Sequence, residues 1–340
     1  MQPMVNVGVI GYGYWGPNLV RNFASFTDVR IKTICDTDPE KLKRAASRYP
    51  DTCVTDNSNS VFDDKDIDAV ILSLPAEYHA EFAGKALVSG KHVFVEKPLA
   101  MTVSDAEKLV KLSENSNRIL MVGLLLLYHP AVKYLRSLID KGELGRIYYL
   151  YSQRLNLGLI RTHENSLWSL APHDISILLY LLDEDPASVS ATGASYIQDG
   201  IEDTVFLHLK FSDRKMAHVH VSWLDPNRVR KITVVGQNKM AVFDDVEPVD
   251  KIKIFDKGVK SPTYSSYGES LSLRFGDINI PHIEMTEPLR IECRHFIDCI
   301  NNGQKPATDA DYGLKVVRVL EAAHKSLKTG GAEIIIGGTV

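Results

Sequence analysis

Cysteine is scarce, and no basic tract, long apolar run or biased segment is present. Four cysteines occur in 340 residues, at positions 35, 53, 293 and 299. None form a C-x-x-C pair, which argues against a zinc ribbon, a redox dithiol or a disulfide framework. They read as reduced packing residues, with Cys293 and Cys299 pointing to different sides of one helix. Lysine and arginine total 39 against 43 acids, a formal charge of −4, with both signs mixed along the chain. Neither nucleic acid nor an anionic membrane surface is therefore expected as a partner. The longest apolar run, 120–127, is interrupted by Gly123 and is too short to cross a bilayer. No basic segment followed by an apolar core opens the chain, so no signal peptide is read and a cytoplasmic location is expected. G-x-S-x-G, a Walker lysine and H-E-x-x-H are all missing, which leaves hydrolase and phosphotransferase readings without a motif.

What is present has a change of rhythm. Short apolar runs at 5–10, 30–35, 69–72, 92–95 and 120–122 alternate with helical patterns at 14–25, 39–49, 78–89 and 104–116. Continuous apolar strands separated by helices predict a parallel sheet covered on both faces. After a helix at 130–141, period-two alternation takes over at 146–155, 189–196, 204–211, 216–223, 231–235 and 240–243. That period predicts half-buried antiparallel strands. A helix is expected at 173–182, and two more at 289–302 and 310–327; no order is predicted for 257–287. The expected fold is α/β: a doubly wound parallel sheet in residues 1–125, then an open-faced, mostly antiparallel sheet domain in 126–340. The terminal helices have the option of packing back on the first domain.

Gly11, Gly13 and Gly16 form G-x-G-x-x-G between the first strand and the first helix. The first glycine allows the turn, the second lets backbone approach a pyrophosphate, and the third lets helix and strand pack closely. Asp36 ends the second strand, where a carboxylate accepts from an adenosine ribose and repels a 2′-phosphate. NAD is therefore the expected cofactor; the competing reading of Asp36 is a turn acid. Tyr12, Tyr14 and Trp15 are read either as shielding the pyrophosphate or as packing. At the ends of later strands lie Leu74 with Pro75, and Glu96 with Lys97 and Pro98. Ligands of open parallel sheets bind beyond these carboxyl ends. His218 and His220 share a strand face, but no third ligand lies near them in sequence, so no metal is expected.

"GVIGYGYWG", "ICDTDPEKL", "LPAEYHAEFAGKALVSGKHVFVEKPLA" and "LGRIYYL" together resemble the Gfo/Idh/MocA oxidoreductases over nearly the whole chain. The resemblance implies a nicotinamide cofactor, Lys97 as an active-site lysine with a Lys–Pro bond that is often cis, Glu96 by the nicotinamide ribose, and His79 approaching the nicotinamide side. It implies His173 as the catalytic histidine at a helix start, where the helix dipole favours the neutral ring. The aspartate usual four residues earlier is Ser169 here. "RLNLGLIRTHENSLWSLAPHD" and "EPLRIECRHFIDCINNGQKPATDADYGLKVVRVLEAAHKSL" resemble the branch acting on UDP-N-acetylglucosamine or its uronate. That branch implies substrate contacts from Lys97, Arg154, Asn156, Arg161, His163, Ser169 and His173. The activity so implied is hydride transfer at a sugar C3 hydroxyl, in amino-sugar or polysaccharide biosynthesis. An inositol or free-sugar dehydrogenase and a non-catalytic dinucleotide sensor stay open beside it. A homodimer or homotetramer through the open sheet face is also expected, because a sheet face that size is costly in water.

Overall fold

The computed structural model describes residues 3–260 and 272–337. Its first stretch runs β1 (Val5–Ile10), α1 (Gly16–Phe23), β2 (Val29–Cys35), α2 (Pro39–Arg48), β3 (Cys53–Thr55), α3 (Asn59–Phe62), β4 (Ala69–Leu72), α4 (His79–Val88), β5 (His92–Glu96), α5 (Val103–Ser116) and β6 (Leu120–Gly123). Next come α6 (Pro130–Asp140), β7 (Ile147–Leu155), α7 (Ser166–Leu182), β8 (Ser188–Ala194), β9 (Thr204–Lys210), β10 (Met216–Ser222), β11 (Val229–Gly236), β12 (Met240–Asp244), β13 (Ile252–Lys260) and β14 (Ser272–Asn279). Helices α8 (Pro288–Asn302) and α9 (Ala310–Lys328) follow, with β15 (Ile334–Ile335) last.

The chain forms two units. The first joins Met1–Tyr128 to Thr286–Arg318, and the second joins His129–Met285 to Val319–Val340. The sequence-based division at 125/126 placed everything after it in one domain. The same expectation left the terminal helices the option of packing back on the first domain, and α8 with the start of α9 belongs to the first unit, where the apolar face of α8 packs.

In the first unit six parallel strands lie in the order β3-β2-β1-β4-β5-β6, a doubly wound arrangement. β4 is buried at all four positions, as a strand covered on both faces should be. Asp38 caps α2 by accepting from the Glu40 and Lys41 amides, and Pro39 sits in the first turn.

In the second unit nine strands run β14-β13-β12-β11-β7-β10-β9-β8-β15. Every pair is antiparallel except β7 with β10. β9 alternates buried Val205, Leu207 and Leu209 with exposed Phe206, His208 and Lys210, so one face is core and the other is open. β13 and β14 order part of the stretch for which no structure was predicted; residues 261–271 of it lie outside the described residues. Helix α7 begins at Ser166 and not at position 173. Asn165 caps it by accepting from the Trp168 amide at 3.2 Å. Pro172 lies inside the helix, where it hid this start from a reading that treats proline as a helix boundary.

Candidate active site

The glycine turn shows steric reasons for two of its three glycines. Gly11 has φ +97°, and a Cβ there would lie 2.2 Å from the Ser73 carbonyl oxygen. A Cβ on Gly16 would lie 2.3 Å from the Gly11 carbonyl oxygen. Gly13 meets nothing within 4 Å, so the protein itself sets no requirement there. Open space above the middle glycine, at a helix start that no side chain caps, suits a pyrophosphate taking the amide donors. Tyr12 is buried and its amide donates to Asp36 Oδ2 at 2.7 Å; Tyr14 is 90 % exposed.

Asp36 is held by that bond and by the Asp38 amide on Oδ1 at 2.9 Å, with the Lys41 ammonium at 3.4 Å. A carboxylate has about four acceptor positions, so with three donors in place about one remains for a ribose hydroxyl. The turn-acid and ribose readings are thus compatible: the same bonds that close the turn aim the carboxylate.

The other half of the sheet end holds Glu96 and Lys97. Glu96 ends β5 partly buried, with its carboxyl 3.1–3.2 Å from where a Cβ on Gly123 would lie. Burial pushes its acid group up to about 7, against the pull of the Lys97 charge, the Lys97 amide and a bond from Trp15. The peptide between Lys97 and Pro98 is cis. His79 departs from its expected place. It is 1 % exposed, with Nδ1 2.6 Å from the Pro98 oxygen and Nε2 2.9 Å from the Leu74 oxygen. Each ring nitrogen lies against a backbone carbonyl oxygen, one of which accepts the single N–H of the neutral ring, so the imidazole braces the loops after β4 and β5. Pro75 is exposed beside that brace.

The second unit holds the remaining candidates, which fall into three groups. Arg154 is buried and its guanidinium is neutralised by Asp174, with Nε 2.5 Å from Oδ2 and Nη2 3.4 Å from Oδ1. Ser152 donates to the same carboxylate at 2.5 Å. This corrects Arg154 from an expected substrate contact to one partner of a buried ion pair. Asn156, Arg161 and His163 follow β7: Asn156 is partly buried, while Arg161 and His163 are exposed, with Arg161 3.7 Å from Glu164. Ser169 and His173 lie on α7, Ser169 buried and His173 partly so. Being seven residues into the helix, His173 lies beyond its first turn, and the helix-dipole argument for its neutral form does not hold.

Among the described residues no group of three His, Cys, Asp or Glu is placed to hold a metal ion. His218 stacks near Phe206 and His208 on the open sheet face, and His220 lies 4.0 Å over Phe206. All four cysteines are free thiols, with Cys53 exposed and the others buried. No helix among the described residues is long and apolar enough to cross a membrane.

The family model for the NAD-binding Rossmann fold of the oxidoreductase family matches residues 5–124, and that for the GFO/IDH/MocA C-terminal domain matches residues 132–242. The chain belongs to the GFO/IDH/MocA oxidoreductase family. This NAD-binding oxidoreductase is similar to inositol 2-dehydrogenase of Salmonella paratyphi B, with 24 % identity over 97 % of this chain and 96 % of that one. Its fold is shared with GenD2 from gentamicin A biosynthesis, solved with NAD (TM-score 0.84, 19 % identity, 99 % and 98 % coverage). UDP-N-acetylglucosamine 3-dehydrogenase GnnA from Acidithiobacillus ferrooxidans shares it too (TM-score 0.82, 19 % identity, 96 % and 98 % coverage).

Two buried acids of this GFO/IDH/MocA member escaped the sequence reading. Asp174 drew no reading from the sequence; its signal was the apolar run that follows it. Glu292 lies within the apolar stripe Leu289, Cys293, Phe296 and Ile297 of α8, where an acid breaks the pattern.

Proposed function

We propose that this chain is an NAD-dependent dehydrogenase of a sugar-like secondary alcohol, with a UDP-N-acetylhexosamine or its uronate as substrate and the C3 hydroxyl as the reacting group. The observation that carries the reading is Glu96–Lys97–Pro98 at the carboxyl end of β5, beside a glycine turn built for a dinucleotide. Strands β1 to β3 make the half that takes the adenosine, leaving β4 to β6 for the nicotinamide. When bound, the nicotinamide supplies the hydride acceptor. The chain must take the hydroxyl proton, which needs a base within hydrogen-bond reach. Lys97 is the group at the strand end that can hold the alcohol oxygen or accept its proton. His173 is the second proton-handling candidate, and Ser169 stands where the family usually has an acid.

A free polyol or sugar is the second reading, favoured by the full-length similarity to inositol 2-dehydrogenase. The test is NAD reduction with a panel of UDP-sugars, inositols and hexoses. Turnover of UDP-N-acetylhexosamines alone supports the first reading, turnover of inositols or hexoses the second, and none with any alcohol the sensor reading. Lys97→Ala is expected to lower kcat by orders of magnitude while leaving NAD affinity nearly intact. His173→Ala is expected to cost about 10²–10⁴ in kcat, and Ser169→Ala far less. If both residues serve one step, the double variant loses less than the sum of the single losses.

A further inference from the structure

Helix α8 carries an acid where its pattern calls for a hydrocarbon. Glu292 is 0 % exposed, and neither carboxyl oxygen has a hydrogen-bond partner among the described residues. An unsatisfied buried polar group costs about 1–3 kcal/mol, which an apolar side chain of similar shape would avoid. Packing alone therefore gives no reason for this acid.

What Glu292 faces follows from register. Phe94 and Phe296 meet edge to face with centroids 5.7 Å apart, and Phe23 completes the cluster at 6.0 and 6.2 Å. Glu96 lies two residues beyond Phe94, on the same side of β5. Glu292 lies about one turn from Phe296, on the same side of α8. The aromatic contact thus puts both carboxyls on the facing sides of β5 and α8, and Glu96 is the charge that acts on Glu292. Burial, then that charge, hold the Glu292 carboxyl protonated well above the usual carboxylate range. Lys97, at the end of β5, is the cation acting on Glu96. From α8 comes the Cys293 thiol, raised by burial and by both acids. From the turn after β6 comes Tyr128, raised by burial and bonded to Thr308 at 2.9 Å.

We propose that Glu96 and Glu292 form a dyad in which Glu292, whose carboxyl has no partner among the described residues, keeps its proton and turns to donate it to the Glu96 carboxylate once binding of the oxidised cofactor has expelled the Glu96 proton, which makes Glu292 a positioning residue. The proposal rests on the reading that the nicotinamide lies beyond β5. NAD+ carries a ring charge that NADH lacks, so only NAD+ favours an ionised Glu96. The sign follows. Below about 7, where Glu96 is protonated, NAD+ binding must release a proton, and affinity falls as pH falls by up to about tenfold per unit. Above that pH affinity is level, and NADH affinity stays flat throughout.

The test titrates the full-length chain with NADH by fluorescence, and with NAD+ by displacement, across neutral pH. Wild type should show the limb for NAD+ alone, and Glu96→Gln should lose it. Glu292→Leu should move the limb upward by about one unit or more, and Glu292→Gln, which keeps a donor, should leave it near its place. A limb unmoved in Glu292→Leu, retained in Glu96→Gln, or shared by NADH overturns the dyad. Carbon-13 NMR of glutamate carboxyls in the protein without nucleotide is a second measurement that needs neither cofactor nor the leucine variant. Glu292 should titrate lower in Glu96→Gln than in wild type; an unchanged titration overturns the coupling. Failure of wild type to bind either nucleotide would defeat the cofactor reading, and the NMR titration would then decide the dyad.

Discussion

At the scale of single residues, the sequence showed which side chains are chemically capable but not which are already engaged. Arg154 sits in a polar stretch that suggests a ligand for anions, yet its charge meets Asp174 inside the second unit. Removing one partner of a buried pair strands the other and costs about 3–5 kcal/mol. Arg154→Met is therefore expected to lower the denaturant midpoint strongly, and Arg154→Met with Asp174→Leu should recover most of that loss. If the single variant instead unfolds like wild type and only raises the KM for substrate, Arg154 is a ligand after all. His79 gives the same lesson. A histidine beside a cofactor loop suggests a contact on the nicotinamide side, but its ring nitrogens lie against two carbonyl oxygens. Such commitments are long-range and leave no local trace.

At the scale of elements, the glycine turn gives the sharpest contrast between fold and ligand. Gly16→Ala would drive a methyl group into the Gly11 carbonyl, and should impair folding and NAD binding together. Gly13→Ala meets no protein atom, so its expected effect is loss of NAD affinity, read by titration, with an unchanged thermal midpoint. Equal damage to stability from both would show that the turn, not the pyrophosphate, selects Gly13. The parallel strands of the first unit were legible because buried strands are continuous apolar runs. Those of the second were legible by their period of two. The start of α7 was not, since Pro172 lies inside the helix and Asn165, not a residue near 173, is its cap. β3, α3 and β15 were missed because three, four and two residues carry too little pattern to stand out. Of the site, the glycine turn, Asp36 and the Glu-Lys-Pro tip were readable, being contiguous in sequence. Glu292 was not, since its partner lies 196 positions away.

At the scale of the whole molecule, the second unit presents a sheet face carrying Tyr149, Phe206 and Met216 at 42, 38 and 55 % exposure. Apolar and aromatic side chains aligned on one open face are costly in water. We propose that a second copy of the chain covers this face. Phe206→Glu is expected to shift light scattering at micromolar concentration toward the monomer mass, and a wild-type protein already monomeric there would refute the proposal. A separate consequence comes from the first unit's composition. Phe23 and Phe94 are made early, whereas Phe296 emerges from the ribosome only after strands β7 to β14 have been synthesised. Until then the nascent Rossmann sheet has an aromatic surface without its cover, the kind of exposure that draws chaperones and favours aggregation. Translation halted after residue 128 would leave that surface bare, so the nucleotide-binding half of this chain waits on its last helices to finish folding.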